Sequence, residues 1–520
     1  MKKNISILLV SLLTLAMIAG CAPAQPAAPA ATGTGAPQAA AAAGAIRRDN
    51  LTIATHREPS SLLPFGANDT GTSPITSLIY DTLLRFSDDM ELIPHLATSW
   101  EMVDETHFRF ALRNDVYFHN GARLTAADVL YSLSRAATAP ATSTIFGVID
   151  ADNSVIEDDF NIVIALHRPH APFLNTMTLA TSGVVNKEAI QADPDEYAEN
   201  PVGTGPFMFG SWAPGDNMVL LANDNWWGGD INVGSLNLRL IPENVTRAIE
   251  VETGGADVAL IVMSDVAVLQ DAPNVNVIEQ DILNVSFLSF NASRAPFDDR
   301  YVRQAISSAI NTEAIVRNTT FGLGSQSYSA IAPDVWGYYN AGNPFSFNVE
   351  RARELLAQSS VPEGFSTTII TSGVPTAAEM IQAFLSEINI DVEIQAVDFA
   401  SWLDAVVTGR QDMYIGGWTV ASADAHDGFR AFHSQYHGPG GNRSFYSNTE
   451  LDALIDAGAI EMDPVRRAEI YREIQEILAY EAIYVHLQVG QMFVAHCDSI
   501  EGLSVSPGQT VWFQDIAFNR

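Results

Sequence analysis

The sequence predicts a mixed α/β protein of at least two domains, folded from about residue 46 onward, and three observations support this. Strand-like and helix-like patterns alternate along the chain. The folded part runs about 475 residues, beyond the size at which a single core stops growing. No second low-complexity linker follows the N-terminal one, so the domains are expected to be joined by strands that cross between them, the arrangement in which a cleft opens and shuts.

The elements follow in order. Lys2 and Lys3 precede an apolar run, residues 5–18 (ISILLVSLLTLAMI). As a helix it would rise about 21 Å, too short for a hydrocarbon core of roughly 30 Å, so it reads as the core of a signal peptide spanning residues 1–20. The run ends in Ile18-Ala19-Gly20-Cys21, which is similar to the bacterial lipobox and makes Cys21 the expected lipidation site. Residues 21–45 then hold the lipidated cysteine and an uncharged Ala/Pro/Gly-rich stretch with no large apolar side chain. It cannot bury enough surface to offset its ordering entropy and reads as a flexible tether. With Cys21 carrying lipid, the other cysteine, Cys497, has no intramolecular partner and reads as a small core residue.

Residues 51–55 (LTIAT) form a short strand ending at the turn-forming 58–61 segment, and 106–112 (THFRFAL) alternate as a half-buried strand. Thr125 with Asp128 makes a capping box ahead of a helix carrying Val129, Leu130 and Leu133 on one face. Asp298-Asp299 is placed to cap a helix that buries Val302, Ile306, Ala309 and Ile310, and Asn348 precedes one with a stripe of Val349, Ala352, Leu355 and Leu356. Asp463-Pro464 opens a third helix, whose predicted buried stripe is Val465, Ala468, Tyr471, Ile474 and Leu478.

The formal charge is −34, from 61 acidic against 27 basic residues. Such a field repels nucleic acid and anionic lipid, and no basic run overrides it, so no nucleic-acid partner is expected. Neither a G-x-S-x-G elbow nor an H-E-x-x-H helix occurs, and Gly203-Thr204-Gly205 lacks phosphate-loop spacing and lysine, so an enzyme is not expected. His426, His433 and His437 are spaced H-x6-H-x3-H, unlike compact zinc patterns, and a helix there is broken by Gly438-Pro439-Gly440-Gly441. No metal and no cofactor is expected.

An ordered series of short motifs runs through the folded chain. Residues 94–101 (PHLATSWE), 108–115 (FRFALRND), 118–121 (FHNG) and 124–129 (LTAADV) are followed by 201–207 (PVGTGPF) with Trp212, and by 225–229 (NWWGG). Phe290-Asn291, Pro296 to Asp299 and 302–305 (VRQA) come next, then 351–356 (RARELL), 445–448 (FYSN) and the helix after Pro464. The series resembles family 5 of the extracellular solute-binding proteins, the peptide, glutathione, nickel and haem binders of ABC importers. The resemblance implies a two-lobed periplasmic-binding-protein-like (Venus flytrap) fold with an extra subdomain inserted in lobe I. Lobe I would comprise residues 46–285, with the subdomain near 88–198 and a return at 487–520; lobe II would comprise 286–486. It implies a monomer, lipid-anchored on the outer side of the cell membrane, that hands a short peptide or glutathione-like ligand to permease and ATPase subunits. A nickel chelate, haem or oligosaccharide cargo on the same fold is the alternative, and a secreted lipoprotein hydrolase a more distant one.

Within that family, Ala67-Asn68-Asp69-Thr70 and residues 418–430 are similar to the glutathione- and dipeptide-binding branch. Peptide binders carry an aspartate for the ligand's ammonium three residues after the tryptophan; here that position is Ala421. Asp424 either replaces it or caps a turn. Gly416 and Gly417 let backbone approach a ligand, with Trp418 as a flat wall and Thr419 beside it, or the tryptophan is core. Arg430 either clamps a carboxylate or pairs with Asp427. Asn68, Asp69 and Thr70 either reach the cleft or form a surface turn.

Overall fold

The computed structural model describes residues 48–373 and 375–519. The expected signal peptide, Cys21 and the tether lie outside these residues. The described chain is built around a ten-stranded sheet with helices on its faces and a smaller sheet to one side.

The local signals act as read. Residues Leu51–Thr55 are a strand, as are His107–Leu112, whose side chains alternate between half-buried and buried. The helix Ala126–Thr138 has a reciprocal capping box between Thr125 and Asp128. Asp299 accepts a hydrogen bond from Tyr301 N at the start of Arg300–Ala309, and Asn348 accepts one from Arg351 N at the start of Val349–Leu356. The helix Pro464–Glu481 begins at Asp463 as expected, but its buried stripe differs: Arg467, Tyr471, Ile474, Gln475 and Leu478 are inside, while Val465 is 69% exposed. The reason is polar. Arg467 and Gln475 find hydrogen-bonding partners in the interior, and their burial turns Val465 and Ala468 outward.

Two strands organise everything else. Val275–Phe290 (16 residues) and Tyr484–Cys497 (14 residues) pair antiparallel along most of their length. At about 3.3 Å per residue the longer one spans some 50 Å. Their register shifts between Asp281 and Phe287. Before the shift their outer neighbour is Val258–Ile261, continuing to Leu51–Thr55, Ser235–Leu240, Asn217–Ala222 and Phe207–Ala213. After it the neighbour is Met413–Thr419, followed by Phe365–Ser372 and Ile390–Val397.

The hydrophobic clusters divide at the same place. One gathers Leu51, Phe110, Leu236 and Val494 with the side sheet formed by Ala97–Asp104, His107–Leu112, Asn161–Leu166 and Ile149–Asp158. Others gather Leu283, Phe287, Phe429 and Tyr471, or Leu288, Val302 and Leu385. Two halves thus have separate cores and share two strands. They also touch elsewhere: Asn175 Nδ2 donates to Ser422 O (3.1 Å), Ala171 N to Ala459 O (2.8 Å), and the His170 and His426 rings meet edge to face at 5.8 Å.

Candidate ligand-binding site

A cavity of about 170 Å³ lies where the halves meet. The half containing the N-terminal strand supplies most of its wall: Tyr80, Asp81, Thr82 and Arg85, then Thr181, Trp226, and the segment around Ser506 and Gln514. The other half contributes Ala421, and Leu283 sits on a crossing strand. Most of the polar groups are therefore on one side.

Sequence explains how that wall is held. The helix Thr72–Ile79 ends at Tyr80, and the 201–207 loop lies against its end: Gly205 N donates to Ile79 O at 2.9 Å. A Cβ at Gly203 would fall 1.9 Å from that carbonyl, so only glycine permits the approach. Between the two glycines, Thr204 donates its hydroxyl to Asp81 Oδ2 (2.9 Å), which also accepts from Trp227 Nε1 (2.8 Å). Two donors thus satisfy a carboxylate that is 3% exposed. His95 Nε2 stands 3.5 Å from Asp81 Oδ1, but burial holds the imidazole below its ordinary range despite the carboxylate, so the contact is not an ion pair. Burial likewise pushes the Tyr80 phenol up.

The residues singled out from the sequence separate on this geometry. Asn68 borders the cavity, and so does Ala421, the position at which the resemblance expects an aspartate for the ligand's ammonium. Asp69 is turned into its own loop: it accepts from Gly71 N, Thr72 N and the Ser60 and Thr72 hydroxyls. Burial opposes its ionisation, but these bonds, led by Ser60, outweigh it and hold the carboxyl below its usual range. Thr70 accepts a bond from Arg57 (2.7 Å). Gly417, Trp418 and Thr419 lie on the strand Met413–Thr419, opposite Ser286, Val285 and Asn284 of the crossing strand, and do not border the cavity. The Arg443 guanidinium stands 5.7 Å from the Trp418 ring centre. Asp424 is 1% exposed, caps the short helix Ala425–Phe429 through His426 N, and pairs with Arg467 at 2.6 Å. Arg430 lies 3.8 Å from Asp427 and over the Tyr436 ring. Thr181 and Gln514 also border the cavity and were not singled out, whereas Trp226 was visible only as part of a motif. Among the described residues no group of three His, Cys, Asp or Glu converges as for a metal ion, and no helix is long and apolar enough to cross a membrane.

Two cores that share two continuous strands, with a cavity at their junction, are the architecture of a two-lobed solute-binding protein. Residues 91–440 match the family described as bacterial extracellular solute-binding proteins, family 5 Middle, and the chain belongs to that family. Glutathione-binding protein GsiB of Salmonella typhimurium is 26% identical over 497 residues, covering 92% of this chain and 97% of that protein. GsiB of Escherichia coli O157:H7 is 25% identical over 500 residues with the same coverage. Among solved structures, the ABC transporter-associated periplasmic binding protein DppA of Helicobacter pylori, in complex with peptide STSA, matches with a TM-score of 0.79 and 28% identity over 91% of this chain and 99% of that one. The substrate-binding protein CtaP of Listeria monocytogenes shares the fold at a TM-score of 0.83, with 19% identity, over 91% of this chain and 99% of that one.

Proposed function

We propose that this chain is the substrate-binding component of an ABC importer that captures a short peptide or glutathione-like ligand in the cavity between its halves. The single observation that carries the reading is that cavity: it lies at the junction of two separately cored halves and takes wall residues from both. Likeness to glutathione-binding GsiB, and to a DppA solved with a bound peptide, supports the ligand class. The halves act as lobes I and II, divided near residue 286, and the crossing strands serve as the hinge on which they close.

In the same reading the leader is cleaved before Cys21, lipid on Cys21 anchors the protein outside the cell membrane, and residues 22–45 form the tether. The protein works as a monomer that presents its loaded form to a permease. Held by contacts between two lobes, the ligand leaves chemically unchanged.

Native mass spectrometry with glutathione and a panel of di- to pentapeptides is expected to give one-to-one adducts, and small-angle scattering a smaller radius of gyration once they form. Indifference to the whole panel would remove the reading.

A further inference from the structure

Four polar atoms of cavity-lining residues are buried and have no hydrogen-bonding partner among the described residues: the Tyr80 hydroxyl, the Thr181 hydroxyl, the Trp226 indole Nε1 and the Gln514 amide oxygen. Thr181 is 3% exposed and Gln514 5%. Buried polar groups are nearly always paired, because leaving one unpaired forfeits its hydration with nothing in return. Other unpaired atoms are scattered through the molecule, but these four belong to residues lining one cavity.

Their chemistry is specific. An indole N–H only donates. The Gln514 oxygen only accepts, and its identity is fixed by the other end of the amide, since Nε2 donates to Asp515 Oδ2 at 3.1 Å. The Thr181 and Tyr80 hydroxyls do either. A carboxylate would satisfy Trp226 and leave Gln514 wanting; an ammonium would do the reverse. A secondary amide offers both, a carbonyl for the indole and an N–H for the glutamine. The opposite side of the cavity adds no charge, because position 421 is alanine and Leu283 is apolar.

Trp226 is also held in place without help from a guest. A Cβ at Gly228 would lie 2.3 Å from the indole Cη2, so the ring occupies space that only glycine leaves open. On its other side it packs against Trp227, ring centres 5.7 Å apart, and Trp227 is tied to Asp81. A donor fixed in advance binds without a further ordering cost.

Resting on the peptide reading above, we propose that Trp226, Thr181 and Gln514 grip an amide unit of the ligand, so that recognition relies on a peptide bond and not on a free α-ammonium. Calorimetry on the folded chain, with glutathione, triglycine, N-acetyl-triglycine and maltotriose as probes, tests this. At least one amide probe is expected to bind, and acetylation of triglycine to change its Kd less than about threefold. Trp226→Phe and Gln514→Leu are each expected to weaken binding about tenfold or more; should either fail to fold, as judged by circular dichroism, Thr181→Val serves in its place. Amide probes that bind equally well to the folded variants would overturn the assigned wall while leaving the peptide reading intact. Loss of binding on acetylation would overturn independence from the ammonium. Binding of maltotriose alone, or of no probe, would overturn the inference and the peptide reading together.

Discussion

Two buried polar regions of this molecule contrast. Around Asp424 every charge is answered: its carboxylate pairs with Arg467, and the same guanidinium donates to Gly458 O and the Tyr471 hydroxyl and lies over the Trp336 ring. Around the cavity, Thr181, Trp226 and Gln514 are buried but unanswered. The first region is closed upon itself and serves the fold. The second leaves about 1–3 kcal/mol per group to be recovered when a partner arrives. Buried polarity alone does not mark a binding site; it does so where it is unsatisfied and borders a cavity.

The largest effect expected from this contrast is on the closed region. Replacing Arg467 by Met leaves Asp424 charged and buried alone, and is expected to cost about 3–5 kcal/mol of stability. The double variant Asp424→Asn/Arg467→Met is expected to recover a good part of that loss. Urea denaturation measures both, and calorimetry on the folded fraction should find ligand affinity little changed. A stable Arg467→Met variant that has lost its ligand would reverse the roles of the two regions.

A smaller effect concerns the contact across the crevice. Burial, then Arg168, Arg467 and Arg430, hold His170 down to about 4. Burial, then His170 and the arginines Arg467, Arg430 and Arg168, hold His426 well below its ordinary range. The acids of the facing segment do not offset this: Asp424 is committed to Arg467, and burial pushes the Asp427 carboxyl up. Depressed imidazole values mean that the closed contact is fully favourable above pH 6.5 and weakens as the pH falls toward 4, because protons bind only the separated rings. If opening restores values near 6.5, each histidine weakens ligand-linked closure about tenfold at pH 5.5 relative to 7.5. Titrating Kd against pH checks this, with His170→Gln and His426→Gln expected to flatten the curve; a flat wild-type profile would sink it.

How much of this was legible in the sequence depended on range. Caps at Asp299, Asn348 and Asp463 were readable because a side chain two or three residues away decides them. The stripe on Pro464–Glu481 was misread because periodicity counts apolar residues, whereas Arg467 and Gln475 are buried through partners far along the chain, Asp424 and Gly337 among them. The cavity wall was least legible. Thr181, Trp226 and Gln514 come from three distant segments, and of these only the paired tryptophans before Gly228 and Gly229 gave any local sign. Asn68 was reached only through the likeness of residues 67–70 to the glutathione- and dipeptide-binding branch.

That loop offers the finest test of the contrast. Asn68 borders the cavity and makes no hydrogen bond among the described residues, whereas Thr70, two residues on, is exposed and spends its hydroxyl on Arg57. Asp69 between them holds the loop's shape in both variants. Asn68→Ala is therefore expected to weaken peptide binding about three- to tenfold with stability unchanged, since one hydrogen bond to a ligand is worth about 1 kcal/mol. Thr70→Ala is expected to leave affinity alone and to shift stability by no more than about 0.5 kcal/mol, as befits an exposed site. Calorimetry and thermal denaturation on the pair separate the two residues. Equal loss of affinity in both would mean that the loop acts through its conformation, and that the ligand is not read by the Asn68 amide.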